Sequence, residues 1–485
     1  MPGKIQAVAI HCKKTPPTDL LRETLSNIAR VFPGLPVFSN VKMDGVKQLD
    51  TATAFQTART AYAQAAALQP LGEDDGIALF EGLAPFLDEK ITADLTAVHL
   101  QYIAHCTYCE NLPAGFAPDL LSADFLADVP EPGPTGLRDF IFKNIEKYDA
   151  EILFRPPDLR QFRLDFSGMS PRSLELIRSV KQLKADLRYE GLQSLLLANP
   201  GVMRPFPSYV EIGLTSYSPV KPILFPELSS PGHLAFDLIE KIDREIRAQS
   251  WDGDTTVCLG GWGEPLLHPE IDRTLELLLS NPGIQTVYLE TYGADLGQER
   301  LDRWKNFKGI ERLALIVRLS TLKRDRYSYL YGADLFEKVI KNVENLEKME
   351  RPFSVYVEML KIKEVEEELT PFYDRFEKSS IGIILNKYNS YAGELPERRV
   401  SDLTPLHRDF CWHLARDVFI TPEGKVPLCK QNPSGTKGPV QDLAQSSLVD
   451  IWKGNAIHHA ASVRGDHAAI PMPCLSCDEW YTFNG

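Results

Sequence analysis

No apolar run in this 485-residue chain reaches the length needed to cross a membrane. The first residues, MPGKIQAVAIHCKKTPP, lack the basic, apolar and small-residue layout of a secretion signal, and their apolar run reads as a first strand. Basic residues are outnumbered, 53 Lys and Arg against 66 Asp and Glu, for a net charge of −13. Phosphate binding wants clustered Lys and Arg, so a nucleic-acid scaffold is excluded. There is no low-complexity segment and no fixed-period repeat. Cysteine is sparse, eight residues in all. These absences leave a cytoplasmic protein with neither nucleic acid nor membrane as partner; its substrate or protein partner is not specified. With 44% apolar and 25% charged residues, the chain has the composition and length for two or three domains with proper cores.

Residues 1–195 alternate between short apolar runs and helical patterns, as in an α/β layered domain. The runs Ile5–Ile10, Pro36–Ser39, Ile77–Phe80 and Gln161–Asp165 predict strands, and Asp19–Val31, Ala52–Ala67, Ala93–Ala104 and Pro171–Leu183 predict helices. Ser170 before Pro171 is a helix-start signal. Cys106 and Cys109, in HCTYCENLP, fit a helix end running into a loop and read as two packed small residues, with a redox pair as the sharper alternative. Three prolines and a glycine mark residues 196–208 as a linker. Six apolar runs follow: Tyr209–Leu214, Thr255–Leu259, Thr286–Glu290, Leu313–Leu319, Ser354–Leu360 and Ile381–Asn386. Amphipathic helices such as His233–Ala248, Phe336–Met349 and Val365–Phe376 separate them, so residues 209–405 predict a partial (β/α)6 TIM barrel whose function sits at the C-terminal strand ends.

Residues 406–485 are a small cysteine-rich tail. Cys411 is followed by twelve residues, Gly424, four residues and Cys429, and the pair Cys474 and Cys477 comes downstream. Four thiols in a reducing compartment read as metal ligands rather than disulfides. In FITPEGKVPLC two short apolar runs flank Pro422-Glu423-Gly424, a hairpin signal that brings Cys411 and Cys429 together. A four-thiolate cage fits zinc or an iron–sulfur cluster, and the spacing alone does not separate them.

C-x12-G-x4-C, then QDLAQSSLVDIWKGNAI, then PCLSCDEW resembles the SPASM or Twitch auxiliary-cluster domain that follows radical S-adenosylmethionine (SAM) enzymes. The resemblance implies one [4Fe-4S] cluster on Cys411, Cys429, Cys474 and Cys477, with zinc as the alternative. LGGWGEPLLHPEI after the second barrel run resembles the radical SAM segment facing the methionine amino group, which implies a residual SAM pocket at Gly261, Gly263 and Glu264. Arg318-Leu319-Ser320-Thr321 stands where that family often has a ribose-contacting serine, so Ser320 joins the set. Trp262 and Tyr292 read as lining that pocket, and His268 as a helix-lead residue before Pro269.

The departure follows the first barrel strand. The family has T-x-x-C-x-x-x-C-x-x-C there; in this chain Thr215 aligns, but Ser218, Pro222 and Phe225 occupy the cysteine places. No other C-x-x-x-C-x-x-C occurs, so SAM cleavage is expected to be absent and SAM binding doubtful. In the front domain, LFEGLAPFLDEKITADLTAVHLQYIAHCTYCENLPAGFAPDLL and FRLDFSGMSPRSLELIRSV resemble nucleotide-diphospho-sugar-transferase-like domains. The loop HCKKTPPTDL has Lys13 and Lys14 but no phosphate-cradling glycine, and only Glu81 stands where a metal-binding acid is expected. The whole order resembles the spiro-SPASM family: a nucleotidyltransferase-like front, a radical-SAM-like middle and a SPASM tail. Three readings follow: a non-radical protein with one tail cluster, a nucleotidyl- or glycosyl-transferase using Lys13, Lys14 and Asp165, and a zinc-stapled interaction scaffold.

Overall fold

The computed structural model describes residues 3–68, 72, 74–227, 231–249, 253–433, 435 and 437–481. It forms two units, Met1–Pro205 and Phe206–Gly485.

The first unit is built on a mixed seven-stranded sheet. Its strands are β1 (Ile5–His11), β2 (Val37–Ser39), β3 (Lys47–Gln48), β4 (Gly76–Glu81), β5 (Cys106–Cys109), β6 (Asp119–Ser122) and β7 (Ala150–Leu153), in the order β3-β2-β1-β4-β6-β5-β7. All neighbours run parallel except β6, which is antiparallel to β4 and β5. Helices cover it where caps permit: Thr53 starts Ala54–Ala66, Asp88 starts Glu89–Tyr102, and Ser170 accepts from Ser173 N (3.1 Å) at the head of Pro171–Leu183. The Asp88 cap moves the helix expected at Ala93–Ala104 forward by a turn.

Two expectations fail here. Gln161–Asp165 is not a strand: Arg160–Phe162 is a short 3-10 turn, Arg163 adopts φ +46°, and Asp165 makes only an isolated bridge to Ala114. A left-handed residue cannot continue an extended ladder. Cys106–Cys109 is not a helix end but β5, zipped between β6 and β7; the preceding helix stops at Ile103, which sits at φ +53°.

The second unit carries a seven-stranded sheet, β8 (Tyr209–Ile212), β9 (Thr255–Leu259), β10 (Ile284–Thr291), β11 (Leu313–Arg318), β12 (Ser354–Lys361), β13 (Gly382–Lys387) and β14 (Asp417–Ile420). The first six lie side by side in chain order and parallel, the topology of a partial (β/α)6 barrel, and β14 pairs parallel with β8 at the edge. Strand alternation splits the sheet. Val210, Ile212, Val257, Leu259, Val287, Leu289, Leu315, Val317, Val355 and Val357 share one face and the main core with helical residues such as Ile239, Leu275 and Val343. The alternate positions carry Glu211, Cys258, Glu290, Arg318 and Glu358.

The hairpin expected in FITPEGKVPLC is corrected. The turn forms, with Gly424 at φ +74° and Thr421 N donating to Lys425 O (2.8 Å), but its arms belong to different sheets. β14 adds to the barrel, while β15 (Lys425–Pro427) pairs antiparallel with β16 (Val440–Asp442).

Candidate functional site

Burial and backbone geometry gather the tail thiols. Cys411 precedes the short helix Trp412–Arg416, Cys429 follows β15, Cys474 lies in the turn Met472–Leu475, and Cys477 follows it. Cys411 and Cys474 share a small apolar core with Leu414, Leu428, Ile470 and Trp480. The four thiols are near enough to feel one another's charge. Burial, then the charges of Cys474, Cys477 and Cys411, pushes Cys429 well above the ordinary thiol value, and burial raises Cys411 to about 12. Backbone N–H groups aim at sulfur: Gln431 N donates to Cys429 Sγ (3.4 Å) and Glu479 N to Cys477 Sγ (3.3 Å). Arg408 Nη1 donates to the Cys474 carbonyl (2.6 Å). Thiols that repel as anions while receiving N–H donors suit a cationic inorganic centre, which removes the repulsion and keeps the donors.

After β8 the loop presents no sulfur. Ser218 Oγ accepts from Val220 N (3.2 Å), and Ser218, Pro222 and Phe225 line a cavity of about 240 Å³ together with Trp262. The Phe225 ring lies under the Arg318 guanidinium at 4.8 Å.

The residues expected to form a residual SAM pocket stand at C-terminal strand ends, and the structure shows what each one touches. A Cβ on Gly261, at φ +80°, would meet Gly213 Cα at 3.2 Å, and one on Gly263 would overlap the Thr215 carbonyl, so both hold the loop after β9 against the β8 end. Glu264 is fully buried; it accepts from Leu266 N (3.0 Å), Tyr292 N (2.8 Å) and Thr291 Oγ1 (2.9 Å). Burial nonetheless pushes its carboxyl up to about 7. Ser320, at φ +56°, receives hydrogen bonds from Tyr331 Oη (3.1 Å) and Leu360 N (3.3 Å). His268 Nε2 donates to the Leu234 carbonyl (2.9 Å) and Nδ1 accepts from Glu270 N (3.2 Å). Trp262 donates to Tyr391 Oη (3.0 Å), and Tyr292 packs edge-on to Tyr331.

Sequence reasoning missed the charged floor between these ends. Glu211, Glu290, Arg318 and Glu358 line a cavity of about 290 Å³ with Lys430, Gln431, Tyr391, Phe225 and the ligand candidate Cys429. Lys430 Nζ sits 2.5 Å from Glu211, Arg318 Nη2 pairs with Glu290, and Arg318 Nε is 3.8 Å from Glu358. Burial works against the Glu290 charge, but Arg318 and Lys430 hold its carboxyl below the usual range. Burial pushes Glu358 up, against the pull of Arg318 and with the charge of Glu290. At the rim, His413 Nδ1 meets Asp417 Oδ2 (2.5 Å) and Nε2 meets the Glu479 carbonyl (3.1 Å). Both partners are acceptors; burial opposes the ring's charge, but Asp417 overrides it and raises His413 above the ordinary imidazole value. The signal was present: one charged residue at an alternate position in each of four otherwise apolar runs.

In the first unit a cavity of about 360 Å³ lies at the C-terminal ends of β1 and β4, lined by Lys13, Glu81, Asp119, Arg138 and Asp165. Arg138 clasps Asp119 through two hydrogen bonds (2.7 and 3.2 Å), and burial, with Asp119, pushes Glu81 up.

The family described as SPASM, an iron–sulfur cluster-binding domain, matches residues 411–478. An uncharacterized protein of Treponema pallidum (strain Nichols) is 29% identical over 369 residues, 71% of this chain and 98% of that protein. A GTP 3',8-cyclase of Chlorobaculum tepidum is 36% identical over 84 residues, 17% of this chain and 24% of the cyclase. Among solved structures, Streptococcus suis SuiB bound to precursor peptide SuiA has a TM-score of 0.43 at 14% identity, covering 70% of this chain and 82% of SuiB. BtrN in complex with AdoMet and 2-DOIA has a TM-score of 0.38 at 14% identity, covering 55% and 90%. Residues 411–478, the stretch that matches the SPASM family of iron–sulfur cluster-binding domains, are the stretch that holds the four gathered thiols.

Proposed function

We propose that this chain is a radical-SAM-like protein that holds one [4Fe-4S] cluster on Cys411, Cys429, Cys474 and Cys477 and does not cleave SAM. The observation that carries the reading is the contrast between two loops of one unit: four thiols gathered in the tail, Cys411 and Cys474 buried and Cys429 and Cys477 half-buried, against Ser218, Pro222 and Phe225 after β8. When bound, such a cluster supplies one-electron transfer. The chain's own contributions are the thiolates, the N–H donors of Gln431 and Glu479 that hold charge on sulfur, and an apolar wall of Leu414, Leu428 and Trp480 that excludes water. With all four positions filled by protein, the site serves as a staple or relay rather than a place for substrate to ligate.

The match of residues 411–478 to an iron–sulfur cluster-binding domain supports the cluster over zinc. Metal analysis and electron paramagnetic resonance on anaerobic protein, wild type against Cys474→Ala, test the reading. About four irons per wild-type chain and no cleavage of added SAM under reductant are expected. Twice that iron with SAM cleaved, or one zinc in a colourless protein, would overturn it.

A second reading rests on the first-unit cavity: transfer of a nucleotidyl or glycosyl group, with Lys13 facing phosphate and Glu81 or Asp165 offering hard oxygen to Mg²⁺. Thermal shift with CTP and UDP-sugars in the presence of Mg²⁺ tests it, and no shift with any of them ends it.

A further inference from the structure

The cavity at the barrel mouth contains two polar atoms without partners among the described residues. Arg318 has a side chain only 4% exposed, yet its Nη1 donates to nothing among them. Gln431 is 6% exposed, and its Oε1 likewise accepts from none of them. Both residues line the same cavity of about 290 Å³. A buried donor or acceptor left unpaired pays its desolvation without return. Two such atoms in one cavity point to a ligand that supplies an anionic acceptor to one and a donor to the other.

The charges around them narrow its chemistry. Glu211 is matched by Lys430 and Glu290 by Arg318, whereas Glu358 has only the distant Nε of Arg318, at 3.8 Å, and the amide of Asn386. Over the whole lining, five carboxyls (Glu211, Glu290, Glu358, Asp417 and Glu479) face the cations Arg318, Lys387 and Lys430 and the ring of His413, with a guanidinium N–H that has no partner among the described residues beside an under-compensated carboxyl. A simple anion would face the surplus acids. A bare metal ion at Glu211, Cys258 and Glu290 would have to displace the cations already on both carboxylates. A small molecule carrying both signs meets every requirement, and Phe225, Tyr391 and Phe419 offer its remainder an apolar wall.

We propose that the barrel mouth binds a small zwitterion of the free amino-acid class, its carboxylate on Arg318 Nη1 and its ammonium between Glu358 and Gln431 Oε1. Cys429 lines the same cavity, so the bound molecule lies against a thiol of the tail site. The binding chemistry resides in Arg318, Glu358 and Gln431 and stands whatever the tail thiols hold.

Calorimetric titration of the full chain, as purified and with its metal content measured, tests this. The probes are L-leucine, L-glutamine and L-phenylalanine, and for leucine its two half-molecules, 3-methylbutylamine and 4-methylpentanoate. Binding of at least one amino acid is expected, with at least tenfold weaker binding of both half-molecules. Gln431→Leu, which removes the free acceptor without touching an ion pair, is expected to weaken binding by roughly tenfold; Arg318→Lys keeps the charge but loses the fork and is expected to weaken it further. Absence of heat with every amino acid sinks the proposal. So does a half-molecule binding as tightly as leucine, or Gln431→Leu binding as well as wild type while folded by circular dichroism. Titration with Zn²⁺ alone giving saturable binding that Cys258→Ala abolishes, with no amino-acid binding, would establish a metal site instead. Iron content reads out the tail cluster separately, so the two ideas fail by different measurements.

Discussion

Glu264 shows how a fold can hold a carboxyl with internal donors while burial raises its pKa. Its carboxylate receives three internal donors and ties the loop after β9 to the end of β10. These donors favour the anion, but complete burial outweighs them and brings the pKa from 4.5 to about 7. A folded-state value above the unfolded one means that the native protein holds a proton the unfolded chain has released. This contribution to stability is fully present below about pH 4.5 and disappears as the pH rises through 7, a span on the order of 3 kcal/mol. The urea midpoint of the second unit should therefore fall between pH 5 and 8 relative to Glu264→Gln, in which this slope is absent. An identical pH dependence in the two proteins would show that the carboxyl titrates normally.

Elements decide what cysteine spacing means. Cys106 and Cys109 read as a C-x-x-C at a helix end, where the two thiols would share a face. In β5 they are three residues apart on an extended strand, so their Cα atoms are about 10 Å apart and their side chains point to opposite faces. A disulfide needs Cα atoms within about 7 Å. Both thiols are buried, and burial raises both. Diamide treatment followed by peptide mass mapping should recover no Cys106–Cys109 crosslink; finding one would require β5 to unzip from β6 and β7. The helices tell the reverse story. Ser170-Pro171 placed the start of Pro171–Leu183 correctly because the cap is a local interaction, complete within four residues. The strand expected at Gln161–Asp165 failed because pairing depends on a neighbour that no local signal names.

For the whole molecule, the tail site ties together three stretches: the chain before β14, the chain after β15 and the terminal turn. Any centre bound by the folded state alone stabilises it by mass action. Stripping iron with a chelator under reducing, anaerobic conditions should lower the melting temperature by several degrees, and reconstitution should restore it. Cys474→Ala should melt like stripped wild type and gain nothing from added iron. Equal melting of loaded and stripped protein would mean that the thiols do not hold a structural centre.

Composition and spacing alone settled a good deal. The six barrel strands were legible because each is an apolar run bounded by turn signals, and the four tail thiols because sulfur at that spacing is rare. The absence of thiols at 218, 222 and 225 could be read directly. What required the folded chain was everything that depends on which side of a strand faces inward and which strand lies beside which. Glu211, Glu290, Arg318 and Glu358 are scattered over nearly 150 residues, and only the parallel register stacks them around one cavity. The turn at Gly424 was visible, but β14 joins β8 rather than folding back on β15, because a parallel edge more than 200 residues away in sequence is open to it. Local chemistry sets where a chain turns; long-range pairing sets what meets across the turn.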